Sequence, residues 1–72
     1  MGYYLKNSNG EYVKSIDGAT LVLTKEPSEA YDYAKMPGGE WSANNEKLYI
    51  NYHYGKEFGE RVKTLTCVYE ER

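Results

Sequence analysis

Seventy-two residues carrying nine Lys and Arg against eleven Asp and Glu, for a formal net charge of −2, make one small domain and exclude a strongly basic nucleic-acid binder. A chain of this length buries only about 60% of the surface its unfolded form exposes, so its stability margin is small, and a homodimer would be one way to add burial. The single cysteine, Cys67, excludes an internal disulfide and fits a reducing compartment. No apolar run approaches the roughly 18 residues of a membrane span. The opening Met-Gly-Tyr-Tyr-Leu-Lys lacks a secretory pattern, and Lys6 stands where a myristoylation signal wants Ser or Thr. A cytoplasmic, soluble protein is therefore expected.

In chain order, Tyr3 to Asn7 and Glu11 to Ile16 are rich in aromatic and β-branched residues and flank Asn7-Ser8-Asn9-Gly10. A short loop ending in Asn-Gly supplies the positive φ of a tight hairpin. Asp17-Gly18 is a second turn signal, leading into a third strand over Thr20 to Thr24. A short helix of about nine residues is expected next, within the stretch that ends at Met36. Pro27 suits its first turn, Glu26 and Glu29 its positive end and Lys35 its negative end, and Pro37-Gly38-Gly39 stops it. Its apolar face is Ala30, Tyr33 and Ala34, with Glu26, Glu29 and Asp32 on another. A brief strand around Trp41 is expected to pair with the next one. Lys47 to Tyr54 alternates as a strand, with Leu48, Ile50, Tyr52 and Tyr54 on one face and Tyr49, Asn51 and His53 on the other. Gly55 to Gly59 is its turn, Arg61 to Tyr69 closes the sheet, and Glu70, Glu71 and Arg72 fray. The expected class is α+β, a single antiparallel sheet of about five strands (β-β-β-α-β-β) with one short helix packed on one face.

Nine tyrosines are the most unusual feature. They suit strands, where the ring packs and the hydroxyl reaches water, and they also suit a recognition surface. If the helix covers the Leu48 face, then Tyr49, Asn51 and His53 form an exposed contact patch. The acidic row Glu26, Glu29 and Asp32 is either a solvated helix face or an imitation of phosphates offered to a nucleic-acid-binding partner. One histidine and one isolated cysteine leave no metal constellation. His53 and Cys67 would form a nucleophile pair if the two strands were neighbours, but a lone Cys in a Thr-Leu-Thr-Cys-Val run usually fills a core. No phosphate loop, nucleophile elbow or buried carboxylate pair is visible, so no catalytic residue and no cofactor are expected.

Tyr3-Tyr4-Leu5-Lys6-Asn7-Ser8-Asn9-Gly10-Glu11-Tyr12-Val13 and Thr24-Lys25-Glu26-Pro27-Ser28-Glu29-Ala30 resemble the opening of small accessory proteins encoded by phages and prophages of Gram-positive bacteria. The resemblance covers the first half of the chain. It implies a host-directed role: a non-enzymatic inhibitor that binds a bacterial host or defence protein, such as a CRISPR nuclease, and blocks it sterically. No functional residue transfers by motif. The alternatives are a module that stacks single-stranded nucleic-acid bases on exposed tyrosines, which lacks the basic groove such binding needs, and a self-associating structural subunit.

Overall fold

The structure is a computed structural model that describes residues 2–17 and 20–71. Its first element is the expected hairpin. Strand β1 (Gly2–Lys6) and strand β2 (Tyr12–Asp17) are antiparallel with Lys6 opposite Tyr12, and Gly10 takes a φ of 80° in the loop. Asn7 holds that loop shut from inside: its Oδ1 accepts from Asn9 N and Glu11 N while its Nδ2 donates to Glu11 Oε1 and to the Arg61 carbonyl. Strand β3 (Thr20–Thr24) pairs with β2 over the span expected for it, with a bulge between Val13 and Ser15. Gly18 of the second turn signal lies outside the described residues.

From Pro27 onward the expected helix is replaced by two 3₁₀ turns, Pro27–Glu29 and Tyr33–Lys35, separated by extended backbone at Ala30 (φ −68°, ψ 140°). The cause is long-range. Beyond the Lys6–Tyr12 pair, Val13 O accepts from Tyr31 N at 3.0 Å, and Asp32 Oδ1 accepts from Tyr3 N at 3.2 Å. The segment thus bridges β2 and β1, and a backbone bond to the one strand and a side-chain bond to the other override a helix too short to stand alone. Asp32 also accepts from Ala34 N, so it starts the second turn.

Pro37-Gly38-Gly39 begins a helix where a stop was expected. Gly38 and Gly39 have φ of 91° and 49°, and Ser42 Oγ donates back to the Pro37 carbonyl. Helix α1 (Glu40–Phe58) covers the predicted strand at Lys47 to Tyr54 and the predicted turn after it. Gly59, at φ 56°, ends it by donating to the Gly55 carbonyl and starts the one-turn helix α2 (Glu60–Lys63). The predicted last strand survives as β4 (Thr66–Glu70), antiparallel to β1 from Gly2 opposite Glu70 to Lys6 opposite Thr66. Glu70 is tied down, accepting from the Tyr12 hydroxyl at 2.9 Å; Arg72 lies outside the described residues. The class is α+β, with one antiparallel sheet in the order β3-β2-β1-β4: four strands among the described residues, not five, because the stretch read as the fourth is helical.

Leu5, Val13, Leu21 and Tyr33 form one buried cluster with Ala43, Ile50 and Tyr54 of α1, Val62 of α2 and Leu65. Cys67 packs against its edge. Tyr4 and Tyr12 are buried apart from that cluster and meet edge to face at 6.1 Å, with Lys6 Nζ 5.3 Å from the Tyr12 ring centre.

Candidate interaction surface

Helix α1 has two apolar stripes. Ala43, Ile50 and Tyr54, spaced by seven and four residues, are buried in the core. Trp41, Leu48 and Tyr52 repeat the same spacing two residues earlier, and at 100° per residue an offset of two is 200°, the opposite side of the cylinder. That side faces solvent: Trp41 is 71% exposed, Leu48 64% and Tyr52 85%. Tyr49, 47% exposed, flanks the stripe and lies 4.2 Å from the His53 ring, which Tyr52 meets edge-on at 5.0 Å. Single exposed apolar side chains need no explanation, but three on one stripe with an aromatic cluster beside two of them are a concentration of the kind that marks interaction sites.

The polar groups along this face are kept within the helix. Asn44 and Asn45 donate to the carbonyls of Glu40 and Trp41, and Asn51 donates to the Lys47 carbonyl. Each amide thus places one N–H on the preceding turn, which lowers the cost of covering the stripe with another apolar surface. Charge sits at its ends, with Glu40 in the first turn and Lys56 in the last, each favourable to the helix dipole.

The residues expected to bind a partner are divided by this fold. Tyr49 and His53 come together, four residues apart on α1, while Asn51 lies on the opposite flank of the exposed stripe, because the alternation that grouped all three belongs to a strand. Glu26, Glu29 and Asp32 do not form a row. Glu26 is exposed before the first turn, Glu29 pairs with Lys14 at 3.1 Å, and Asp32 is committed to the amides of Tyr3 and Ala34. Trp41, Leu48 and Tyr52 were missed as surface residues. Their signal was in the chain, as a second seven-and-four spacing beside that of Ala43, Ile50 and Tyr54.

His53 and Cys67 are also separated, since His53 is exposed on α1 whereas Cys67 packs against the core from β4. Burial pushes the Cys67 thiol up, and the Glu40 carboxylate adds to it, which is the reverse of what a nucleophilic thiolate needs. Among the described residues no group of three His, Cys, Asp or Glu side chains is placed to hold a metal ion. Among the described residues no helix is long and apolar enough to cross a membrane. A cleft of about 260 Å³ between β2, the 3₁₀ segment and α1 is lined by Val13, Ile16, Tyr31, Tyr33 and Met36, with Glu46 at its wall. Burial, and then Glu46, push the Tyr33 phenol up, so it stays neutral there.

Compared with known protein families, with curated proteins and with solved structures, the chain shows no match.

Proposed function

We propose that this protein is a non-enzymatic protein-binding module and that the outer face of α1 is its recognition surface. The observation that carries the reading is the exposed stripe Trp41, Leu48 and Tyr52, backed by Tyr49 and His53, on a helix whose opposite stripe already fills the core. Large, rigid aromatic side chains are the residues that dominate binding hot spots. Tyr4 of β1 and Tyr12 of β2 are buried and already engaged, so these two offer no open platform for stacking bases. The host-directed role implied by the resemblance of the first half, steric blocking of a bacterial host or defence protein, is one setting in which such a surface would act.

Immobilised protein should retain a protein partner, its own or a foreign chain, through nuclease treatment. The double variant Trp41→Ala/Tyr52→Ala should lose it by at least about 2 kcal/mol of binding, the hot-spot scale. The circular dichroism and melting temperature of the double variant should stay close to those of the parent, because exposed substitutions usually cost within about 0.5 kcal/mol each. Retention of nucleic acid alone, or unchanged capture by the double variant, would refute the reading.

A further inference from the structure

Glu46 stands on the inner side of α1, three residues after Ala43 and four before Ile50, both of which are core. A carboxylate on that stripe would ordinarily have a partner. Among the described residues the ion pairs are those of Lys14 with Glu29 and of Arg61 with Glu11, and Glu46 has neither a cation nor a hydrogen-bond donor against it. It borders the cleft between β2, the 3₁₀ segment and α1. Lys14, beside Val13 of that cleft in sequence, is already held by Glu29 at 3.1 Å.

The rest of the cleft is aromatic and apolar. Tyr31 and Tyr33 contribute two rings, with centres 4.9 Å apart and planes at 76°, and Val13, Ile16 and Met36 line the remainder. An edge-to-face pair covers one of its four ring faces, where a stack would cover two, and each aromatic face is the negative end of a quadrupole. Elsewhere the chain sets its own cations over rings, Lys6 Nζ at 5.3 Å from the Tyr12 centre and the Arg61 guanidinium carbon at 5.4 Å from that of Phe58. None of the described cations stands over Tyr31 or Tyr33. Tyr33 also makes no hydrogen bond through its hydroxyl, yet no buried polar side-chain atom among the described residues lacks a partner, so that hydroxyl opens on the cleft.

Two rings, a hydroxyl oxygen and a carboxylate, all without a counter-charge, complement a cation. The walls choose which kind. A primary ammonium has three N–H donors to satisfy and would give up its water against Val13, Ile16 and Met36. An alkylated nitrogen has few or none, and its methyl groups pack on such walls. At about 260 Å³ the cleft is smaller than the roughly 300 to 1,000 Å³ of sites for drug-sized ligands, so the ligand is small.

We infer that this cleft binds a small alkylated ammonium, its nitrogen held by the Tyr31 and Tyr33 rings and the Glu46 carboxylate, its alkyl groups against Val13, Ile16 and Met36. The site lies on the opposite side of α1 from Trp41, Leu48 and Tyr52 and does not depend on the protein-binding reading.

The probe is choline, titrated into the full chain to about 100 mM and followed by two-dimensional NMR. It should shift the amides of residues 13 to 16, 31 to 36 and 46 with a dissociation constant on the order of 1 to 10 mM, the scale for so few atoms. The uncharged alcohol in which carbon replaces the choline nitrogen should bind at least about tenfold more weakly, and so should ethanolamine, the primary counterpart. Glu46→Gln should weaken choline several-fold and leave the alcohol unchanged. Tyr31→Leu, which keeps an apolar wall without a ring face, should do the same. Both side chains reach solvent, and the dispersion of the free spectra checks that each variant is folded. Equal binding of choline and the uncharged alcohol overturns the inference, as does binding that neither folded variant weakens, or a lack of shifts at these residues. Ethanolamine binding as tightly as choline overturns the choice of an alkylated nitrogen.

Discussion

Replacing Asn7 by Ala should destabilise the domain by about 2 to 4 kcal/mol. The side chain is nearly buried, its residue 5% exposed, and makes four hydrogen bonds: to Glu11 Oε1 at 3.0 Å, to the Arg61 carbonyl at 2.9 Å, from Asn9 N at 3.0 Å and from Glu11 N at 2.8 Å. A net hydrogen bond is worth roughly 0.5 to 1.5 kcal/mol, and a buried partner left without one costs about 1 to 3. The exposed Asn9 recovers a water, whereas the Arg61 carbonyl and Glu11 amide face the cavity that Ala leaves, which sets the range. For so small a domain the melting temperature should fall by roughly 10 to 25 °C. Thermal and urea unfolding followed by circular dichroism would measure it. Asn7→Asp is the informative companion. It keeps both acceptor contacts, loses both donor contacts, and sets a second carboxylate against Glu11, so at neutral pH it should cost at least as much as Ala. A loss under about 0.5 kcal/mol for Asn7→Ala would refute the view that this side chain ties the hairpin to α2.

The Arg61 guanidinium, hydrogen-bonded to Glu11 and helped by Asn7, holds the Glu11 carboxyl below its ordinary value. A carboxyl depressed in the folded state adds stability above its unfolded value and loses it as the pH falls through the folded one. Stability should therefore decline below the ordinary glutamate range, and Glu11→Gln should be less stable at neutral pH with a flatter acid limb. Iodoacetamide at pH 8 should alkylate Cys67 at least about tenfold more slowly in the folded protein than in urea, since burial disfavours the thiolate. Equal rates would mean that β4 opens freely.

The first third of the chain was legible because its signals are local. Asn7-Ser8-Asn9-Gly10 closes a hairpin by its own chemistry, and Leu21 and Leu23, two residues apart in Thr20 to Thr24, both meet the core. The middle was not, because two interleaved helical stripes imitate a strand. Leu48, Ile50, Tyr52 and Tyr54 are all apolar or aromatic at every second position, yet Ile50 and Tyr54 belong to the core side of α1, and Leu48 and Tyr52 to its outer side. A helix with an apolar stripe on both sides defeats a search for one apolar face, and the feature that hid the helix is the one that supplies the candidate surface. Pro27 and the acidic residues after it did mark a helical turn, but the Tyr31–Val13 and Tyr3–Asp32 bonds that limit it to one turn join residues far apart in sequence. Tyr49 and His53 lie together through the four-residue spacing of a helix, not through the alternation of a strand.

The pairing of β1 with β4 has a mechanical consequence. Gly2 stands opposite Glu70, and the ladder runs from there inward to Lys6 and Thr66. A load applied through residues 2 and 70 would enter and leave at the same end of the ladder, so its rungs would take the force one after another, as a zipper opens, and not together, as in shear. Whatever its resistance to heat, the sheet should yield to a small pulling force, and the strand that joins it last in the chain should be the first to peel away.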